Sequence, residues 1–447
     1  MKNKEEKLTM AKKANKSAIG IANAITEATN AVSEFQLPFI NKATFSNLSK
    51  QLAVAPDAYR NAWYDNLVNL CGLQIVLGKR MYESYFKKLY REATFTESVA
   101  LYMVDAIKAK AYDKEATAAI LENNPARIGA QYIQTVLRNR YDVTDIEELS
   151  VAAFTSEGAF LSMIDAVTTQ LYSSMEDDNV EKIKELLKAN ITEGNIRLEP
   201  VAKPDTQAEL LNFMRIVKRI GSDWSVERSR KYNLAGYRTF SPQNDHYFLM
   251  NTDMDALNEV YNLPFAFNKN YLEMKSEGEA IVMGSDGLGD VYSMMFDRDF
   301  MQVRDKVGFP QFTSFRNPAT LAMNRFLHVW TVLSVAYFAN AIAFVDPRKI
   351  ASSVIATLAS RDGSVAMNPG EEKEIYVASI QTNGGLFDKF GTYSVAGAST
   401  LAAGTSIDPD SGVLTIGEGE QNTAVTVTWT SHLDPSVTAT IQITINN

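Results

Sequence analysis

Hydrophobic residues change their spacing along the chain, and each spacing predicts a different element. In 156–175, Phe160, Ile164, Val167, Leu171 and Met175 recur every three or four residues, the single apolar stripe of an amphipathic helix. Asp178 with Glu181 three residues on resembles a capping box, which predicts a second helix carrying Val180, Ile183 and Leu187 inward and stopping near Gly194. Thr206 with Glu209 predicts a third, striped by Leu210, Phe213 and Val217 and ended by Gly221. Arg215, Lys218 and Arg219 then fall where a helix dipole favours cations. From 245 to 304 the pattern shortens. Residues 247–250 read as a strand, and Thr252 caps a helix through Tyr261. Residues 291–296 and 300–303 read as a hairpin about Asp297-Arg298-Asp299. After Pro347 the period becomes two. Val425, Val427 and Trp429 alternate with Thr426, Thr428 and Thr430, and Ile441, Ile443 and Ile445 alternate with Thr440, Gln442 and Thr444. That is half-buried antiparallel sheet. Ile375 and Val377, then Val413 to Ile416 after the turn Asp408-Pro409-Asp410-Ser411-Gly412, supply further strands, together describing a small β-sandwich of immunoglobulin type.

One run fits neither period. Residues 326–345, FLHVWTVLSVAYFANAIAFV, are twenty positions without a charge, flanked by Arg325 and by Asp346-Pro347-Arg348-Lys349. About twenty apolar residues can span a bilayer as a helix. A run rich in Val, Phe, Tyr and Trp is equally a pair of buried strands. His328, Thr331, Ser334 and Asn340 make it a poor span, because polar groups in lipid need partners.

Length and composition sharpen the domain picture. A chain of 447 residues exceeds what one core usually holds. From Ile350 onward three basic residues stand against ten acids, so an acidic tail follows a nearly neutral body. Neither part is basic enough for a dedicated nucleic-acid binder. Residues 1–45 read as an arm with six lysines (Lys2, Lys4, Lys7, Lys12, Lys13, Lys16) and no strong period. Asn23, Thr26 and Glu27 interrupt any apolar signal core, so residence in the cytoplasm where the chain is made is expected. From Tyr59 the chain turns apolar around Trp63 and joins the core. Residues 79–114 carry eight basic residues among aromatics against five acids, as a solvated or protein-contacting hairpin would.

No constellation for chemistry emerges. His246, His328 and His432 are far apart and have no metal-ligand spacing. The single cysteine, Cys71, reads as a buried thiol and rules out an intramolecular disulfide framework. Gly284-Ser285-Asp286-Gly287-Leu288-Gly289 lacks the following Lys-Ser/Thr and leads into a strand, so it reads as a loop and not a phosphate cradle. Asp408 and Asp410 match only part of a calcium loop and read as a hairpin turn. The reading is of a chain that is not an enzyme, with no catalytic, cofactor or metal residues.

Asn317-Pro318, then His328-Val329-Trp330, Leu333-Ser334-Val335 and Phe338-Ala339-Asn340-Ala341-Ile342-Ala343-Phe344-Val345, resemble the end of the capsid domain in major capsid proteins of small short-tailed phages of the Picovirinae type. Leu249-Met250-Asn251-Thr252-Asp253-Met254-Asp255-Ala256, Pro264-Phe265-Ala266-Phe267-Asn268 and Asp297-Arg298-Asp299-Phe300-Met301-Gln302-Val303 follow the same family's order. Thr405-Ser406-Ile407-Asp408 before Ser411-Gly412-Val413-Leu414 resembles a bacterial immunoglobulin-like (BIG2-type) module.

The resemblance implies an α+β chain: an N-terminal arm (1–45), an HK97-like capsid domain (46–348) and an all-β immunoglobulin-like sandwich (349–447). Within the capsid domain it implies an extended loop at about 79–115, a spine helix at about 156–192 and an axial domain at about 205–305. The implied function is a self-assembling head-shell subunit around double-stranded DNA. Its implied partners are itself in pentamers and hexamers, a scaffolding protein and portal, packaged DNA on the inner face, and a host-surface ligand for the sandwich. No lysine–asparagine cross-link pair aligns. Three other readings compete: a membrane-anchored adhesin using 326–345 as its span, an encapsulin-like compartment shell, and an enzyme with a carbohydrate-binding sandwich.

Overall fold

The computed structural model describes residues 18–42, 44, 47–56, 58–60, 62–63, 66, 84–95, 98–105, 107, 126–133, 136–145, 157–262, 279–284, 287–316 and 323–446. The first element, α1 (Ala18–Asn30), lies inside the range expected to be an arm. The polar residues that break an apolar run here hold the helix in place. Thr26 and Thr29 are buried and return their hydroxyls to Ala22 and Ile25 carbonyls at 2.8 Å each. Trp63, fully buried as its setting predicted, donates Nε1–H to the Thr26 hydroxyl at 3.1 Å. The Asn23 amide satisfies both backbone groups of Ile40, at 2.8 and 2.8 Å. An Asn23→Ala variant strands that half-buried pair and is expected to cost about 1–3 kcal/mol, measured by urea unfolding.

A short helix, α2 (Leu48–Val54), is followed by β1 (Val99–Val104) and β2 (Ile128–Ile133), which pair only with each other, and by β3 (Val136–Asp145). Then comes one helix of 36 residues, α3 (Glu157–Thr192), where two were expected. Asp178 is no cap. Inside the helix its carboxylate accepts the Tyr141 hydroxyl of β3 at 2.9 Å, tying helix to sheet. Gly194 follows the end with φ +72°, as a C-terminal glycine should.

After β4 (Arg197–Pro200), α4 (Gln207–Val226) begins with the expected Thr206/Glu209 capping box. It does not stop at Gly221. Ile220 and Trp224 bury on the sheet beneath, and burying two large side chains outweighs the ~1 kcal/mol cost of a mid-helix glycine. Arg215, Lys218 and Arg219 therefore lie mid-helix, away from its C-terminal dipole. The chain continues through β5 (His246–Asn251), α5 (Thr252–Asn262), β6 (Glu279–Met283), β7 (Val291–Asp297), β8 (Met301–Asp305), β9 (Gln311–Arg316), β10 (Met323–Val335) and β11 (Ala341–Val345). The cap of α5 is Asn251, whose Oδ1 accepts the Met254 N–H at 2.9 Å, one residue before the Thr252 expected.

Two sheets organise this body. One has the order β4-β11-β7-β5-β6, and in the other β10 pairs β3, β8 and β9. The run 326–345 is thus not one element but two strands in different sheets. β11 is buried at every position. Ala341, Ala343 and Val345 join Ile183, Leu187 and Ile191 of α3 on one face. Ile342 and Phe344 pack with Phe213 and Val217 of α4 on the other. A central strand covered by helices on both faces has no polar side, hence its membrane-like composition. No helix among the described residues is long and apolar enough to cross a membrane, which removes the span on which the adhesin reading rested. The expected hairpin about Asp297 is also absent. β7 and β8 belong to different sheets, and the turn carries the chain between them. That crossing runs beside the one at 336–340, with the Asp297 N–H on the Asn340 carbonyl at 2.8 Å and the Ala336 N–H on the Phe300 carbonyl at 2.7 Å.

Beyond residue 350 lie two four-stranded sheets. One is β12 (Val354–Ser360), β14 (Glu372–Thr382), β17 (Val413–Thr415) and β16 (Ser406–Ile407). The other is β13 (Ala366–Met367), β19 (Thr438–Ile445), β18 (Ala424–Ser431) and β15 (Gly391–Gly397). Ile375 and Leu414 of the first share a core with Val425, Val427 and Ile443 of the second, the arrangement of a β-sandwich. Glu420 closes its loops, accepting N–H groups of Ala402, Gln421 and Asn422 at 3.0 Å each. Burial alone would push this carboxyl up, but the donors more than offset it and hold it at about 2. A depressed carboxylate stabilises above its unfolded value, about 4.3, and loses that contribution as pH falls toward its folded value. Glu420→Gln should therefore weaken the sandwich at neutral pH and flatten its acid unfolding between about pH 4 and about pH 2. Identical titrations for the two proteins would contradict this role.

Candidate functional site

The three histidines stay apart. His246 is fully buried, its Nε2 3.1 Å from the Ser241 carbonyl and its ring edge-on to Trp224. His328 Nε2 lies 2.9 Å from the Thr313 hydroxyl. His432 Nε2 lies 2.8 Å from Asp388. Among the described residues no group of three or more His, Cys, Asp or Glu could hold a metal ion. Gly284 and Gly287 close a turn, Gly287 N–H to Gly284 O at 3.0 Å, and the chain enters β7. Asp408 takes the N–H groups of Asp410 and Ser411 at 3.1 and 3.0 Å, and Gly412, at φ +68°, completes the expected hairpin turn. Cys71, 264–268, 317–318 and the lysines of 1–17 lie outside the described residues.

Among the described residues, the ribbon β1–β2 gathers exposed large hydrophobic side chains on one face. An extended loop was expected at 79–115, but 84–95 pack on the body. Phe86 and Leu89 are core residues, and the Arg91 N–H reaches the Val303 carbonyl at 2.8 Å. The ribbon starts at Val99 and returns at Ile133, with 106 and 108–125 between its strands outside the described residues. Its inner face is fixed to the body. Gln131 donates to the Val335 carbonyl at 2.8 Å and accepts the Tyr337 N–H at 3.0 Å. A Cβ at Gly129 would lie 2.7 Å from Phe338 and from the Tyr237 hydroxyl, so only glycine allows this approach.

On the outer face the register sets Ala100 opposite Tyr132, Tyr102 opposite Ala130 and Val104 opposite Ile128. Tyr102, Tyr132 and Ile128 are 64–65% exposed and Val104 53%. All six positions are apolar or aromatic, and an exposed contiguous patch of this kind marks a protein contact. Sequence spacing missed it because 79–114 drew attention for its lysines, while the apolar alternation of 99–104 has its partner strand at 128–133.

The sandwich is fastened to the body at β4. Asp388, wholly buried, accepts the Leu198 N–H at 2.6 Å and the Phe390 N–H at 3.0 Å while bonding His432. Lys389 reaches Asn195 Oδ1 at 2.8 Å, and the Lys389 N–H donates to the Gly194 carbonyl at 3.0 Å. Burial lowers the Lys389 ammonium below its usual range.

The sequence model of the family described as Phi29-like phage major capsid protein matches residues 22–345. The major capsid protein of Bacillus phage B103 is 26% identical over 405 residues, covering 90% of this chain and 87% of that one. That of Bacillus phage PZA is 24% identical over 416 residues, covering 91% and 90%. Alignments of this length necessarily run past residue 345 into the sandwich. Among solved structures, the capsid of Staphylococcus phage Andhra is 10% identical with a TM-score of 0.48, covering 60% of this chain and 86% of that one. A match spanning most of the chain, with relatives aligned nearly end to end, places it: the chain belongs to the Phi29-like phage major capsid protein family.

Proposed function

We propose that the chain is the repeating subunit of a phage head, self-associating through many modest contacts into a closed, icosahedral-type shell around a double-stranded DNA genome. The observation that carries this is the ribbon, anchored on its inner face and apolar or aromatic at six neighbouring positions on its outer face, which fits a second copy of the chain. Residues 46–348 form an HK97-like domain, with α3 as its spine, about 205–305 as its axial part and the paired strands β1 and β2 as part of its extended loop. Residues 349–447 form an immunoglobulin-like sandwich, a reading supported by its two facing four-stranded sheets. The excess of ten acids over three basic residues from Ile350 onward supports a position on the outer surface, where like charge keeps particles apart and a host-surface ligand can reach it. Pentamers and hexamers of the chain, a scaffolding protein and a portal complete the assembly in the host cytoplasm, and packaged DNA lies against the inner face.

Sedimentation of the protein, alone and with its scaffolding protein, is expected to yield fast-moving closed particles. Antibody to the sandwich should label them intact. A monomer under every condition would overturn the shell function, and an unlabelled particle would overturn the outward placement.

A further inference from the structure

The sandwich has a second attachment to the body, and it ends on the ribbon. Asp105 directly follows β1 and Arg127 directly precedes β2, so the two mark the ribbon's base, closed by the Asp105 N–H on the Arg127 carbonyl at 3.0 Å. Arg230, from the body, sits between this base and the sandwich. Its Nη2 lies 2.8 Å from Asp105 Oδ2, and its Nη1 bonds Asp408 and lies 3.4 Å from the Ser411 hydroxyl. Arg127 spans the same gap from the ribbon side. It lies 3.4 Å from Asp105 and 3.3 Å from Glu374 of β14, donates to the Ala235 and Gly236 carbonyls at 3.3 and 3.1 Å, and covers the Tyr237 ring at 4.2 Å. Arg361 holds the other oxygen of Glu374 at 2.7 Å. Three carboxylates and three guanidiniums therefore balance, and the side chains of Asp105 and Arg230 are only 7% and 11% exposed. Backbone contact backs the network, since a Cβ at Gly236 would lie 3.0 Å from Ser411 Cα.

We infer that the C-terminal sandwich is a brace for the ribbon, fixing through Arg127 and Arg230 the angle at which the ribbon leaves the body. Each guanidinium bonds ribbon and sandwich at once, a task suited to the arginine fork and not to a lysine. The Asp388 attachment lies in the loop between β14 and β15 and reaches β4, so the sandwich should stay docked when this network is cut and the two roles separate. The inference concerns contacts within one chain and holds whether or not the proposed shell forms.

Hydrogen exchange on the unassembled full-length chain tests it. In Glu374→Gln/Asp408→Asn, which leaves the ribbon's own residues untouched, amides of β1 and β2 should exchange about tenfold faster or more, while β4, β18 and β19 keep their protection. Unchanged ribbon exchange with β4 and the sandwich protected as before would overturn the brace. Should that variant lose the sandwich altogether, Glu374→Gln alone reads the same coupling. It leaves the bonds of Arg127 to Asp105 and to the body in place and weakens only its link to the sandwich, and is expected to speed ribbon exchange by several fold; no change there would equally overturn the inference.

Discussion

Replacing both Tyr102 and Tyr132 with glutamate is expected to leave a folded subunit that no longer assembles. The two rings face solvent from neighbouring strands, edge to face with centroids 6.3 Å apart, and neither belongs to a core cluster. Changes at such exposed positions usually move stability by no more than about 0.5 kcal/mol. At a contact between copies the same change removes two aromatic anchors, each worth about 2 kcal/mol or more at an interface centre, and buries two charges without partners. Because every subunit repeats the loss, assembly should fall by orders of magnitude. Circular dichroism matching wild type together with monomeric sedimentation is the expected result. Normal shell yield would mean that the outer ribbon face is not a subunit contact.

Phe344→Ala should have the largest effect on the fold itself. Phe344 is fully buried on the central strand β11 and meets Phe213 of α4 edge to face at 5.0 Å. Truncating such a ring costs about 3–5 kcal/mol, a large part of a typical domain's total of about 5–15 kcal/mol. Urea unfolding should show that loss, against a negligible change for truncation of the exposed Phe315. A charge at Val332 or Ala341, both buried, should be worse and prevent folding or assembly. Wild-type-like yield from any of these would mean that 326–345 does not form the buried strands described.

Where one side chain sets the local outcome, its position in the sequence is enough to read it. Thr206 and Glu209 cap a helix with groups three residues apart, and the threonine–valine alternation of 424–431 reports a sheet with one wet face. Where the outcome depends on distant chain, sequence patterns mislead. Asp178 looks like a cap until Tyr141 arrives from β3, and Gly221 looks like a stop until the sheet buries Trp224. The turn at Asp297 looks like a hairpin because local patterning cannot say that its two strands enter different sheets. The surfaces that matter most were hardest to see for the same reason. The apolar ribbon face needs strands 99–104 and 128–133 in register, and the arginine network joins residues 105, 127, 230, 374 and 408. In sequence Asp408 reads as a turn residue, which it is, but nothing near it announces Arg230.

Electron cryo-microscopy of assembled particles tests the central claim most directly. Closed shells are expected in which Ala100, Tyr102, Val104, Ile128, Ala130 and Tyr132 of one subunit are covered by the next. Particles whose ribbon outer face stands free in solvent, or a protein that forms no shell with or without its scaffolding protein, would contradict it.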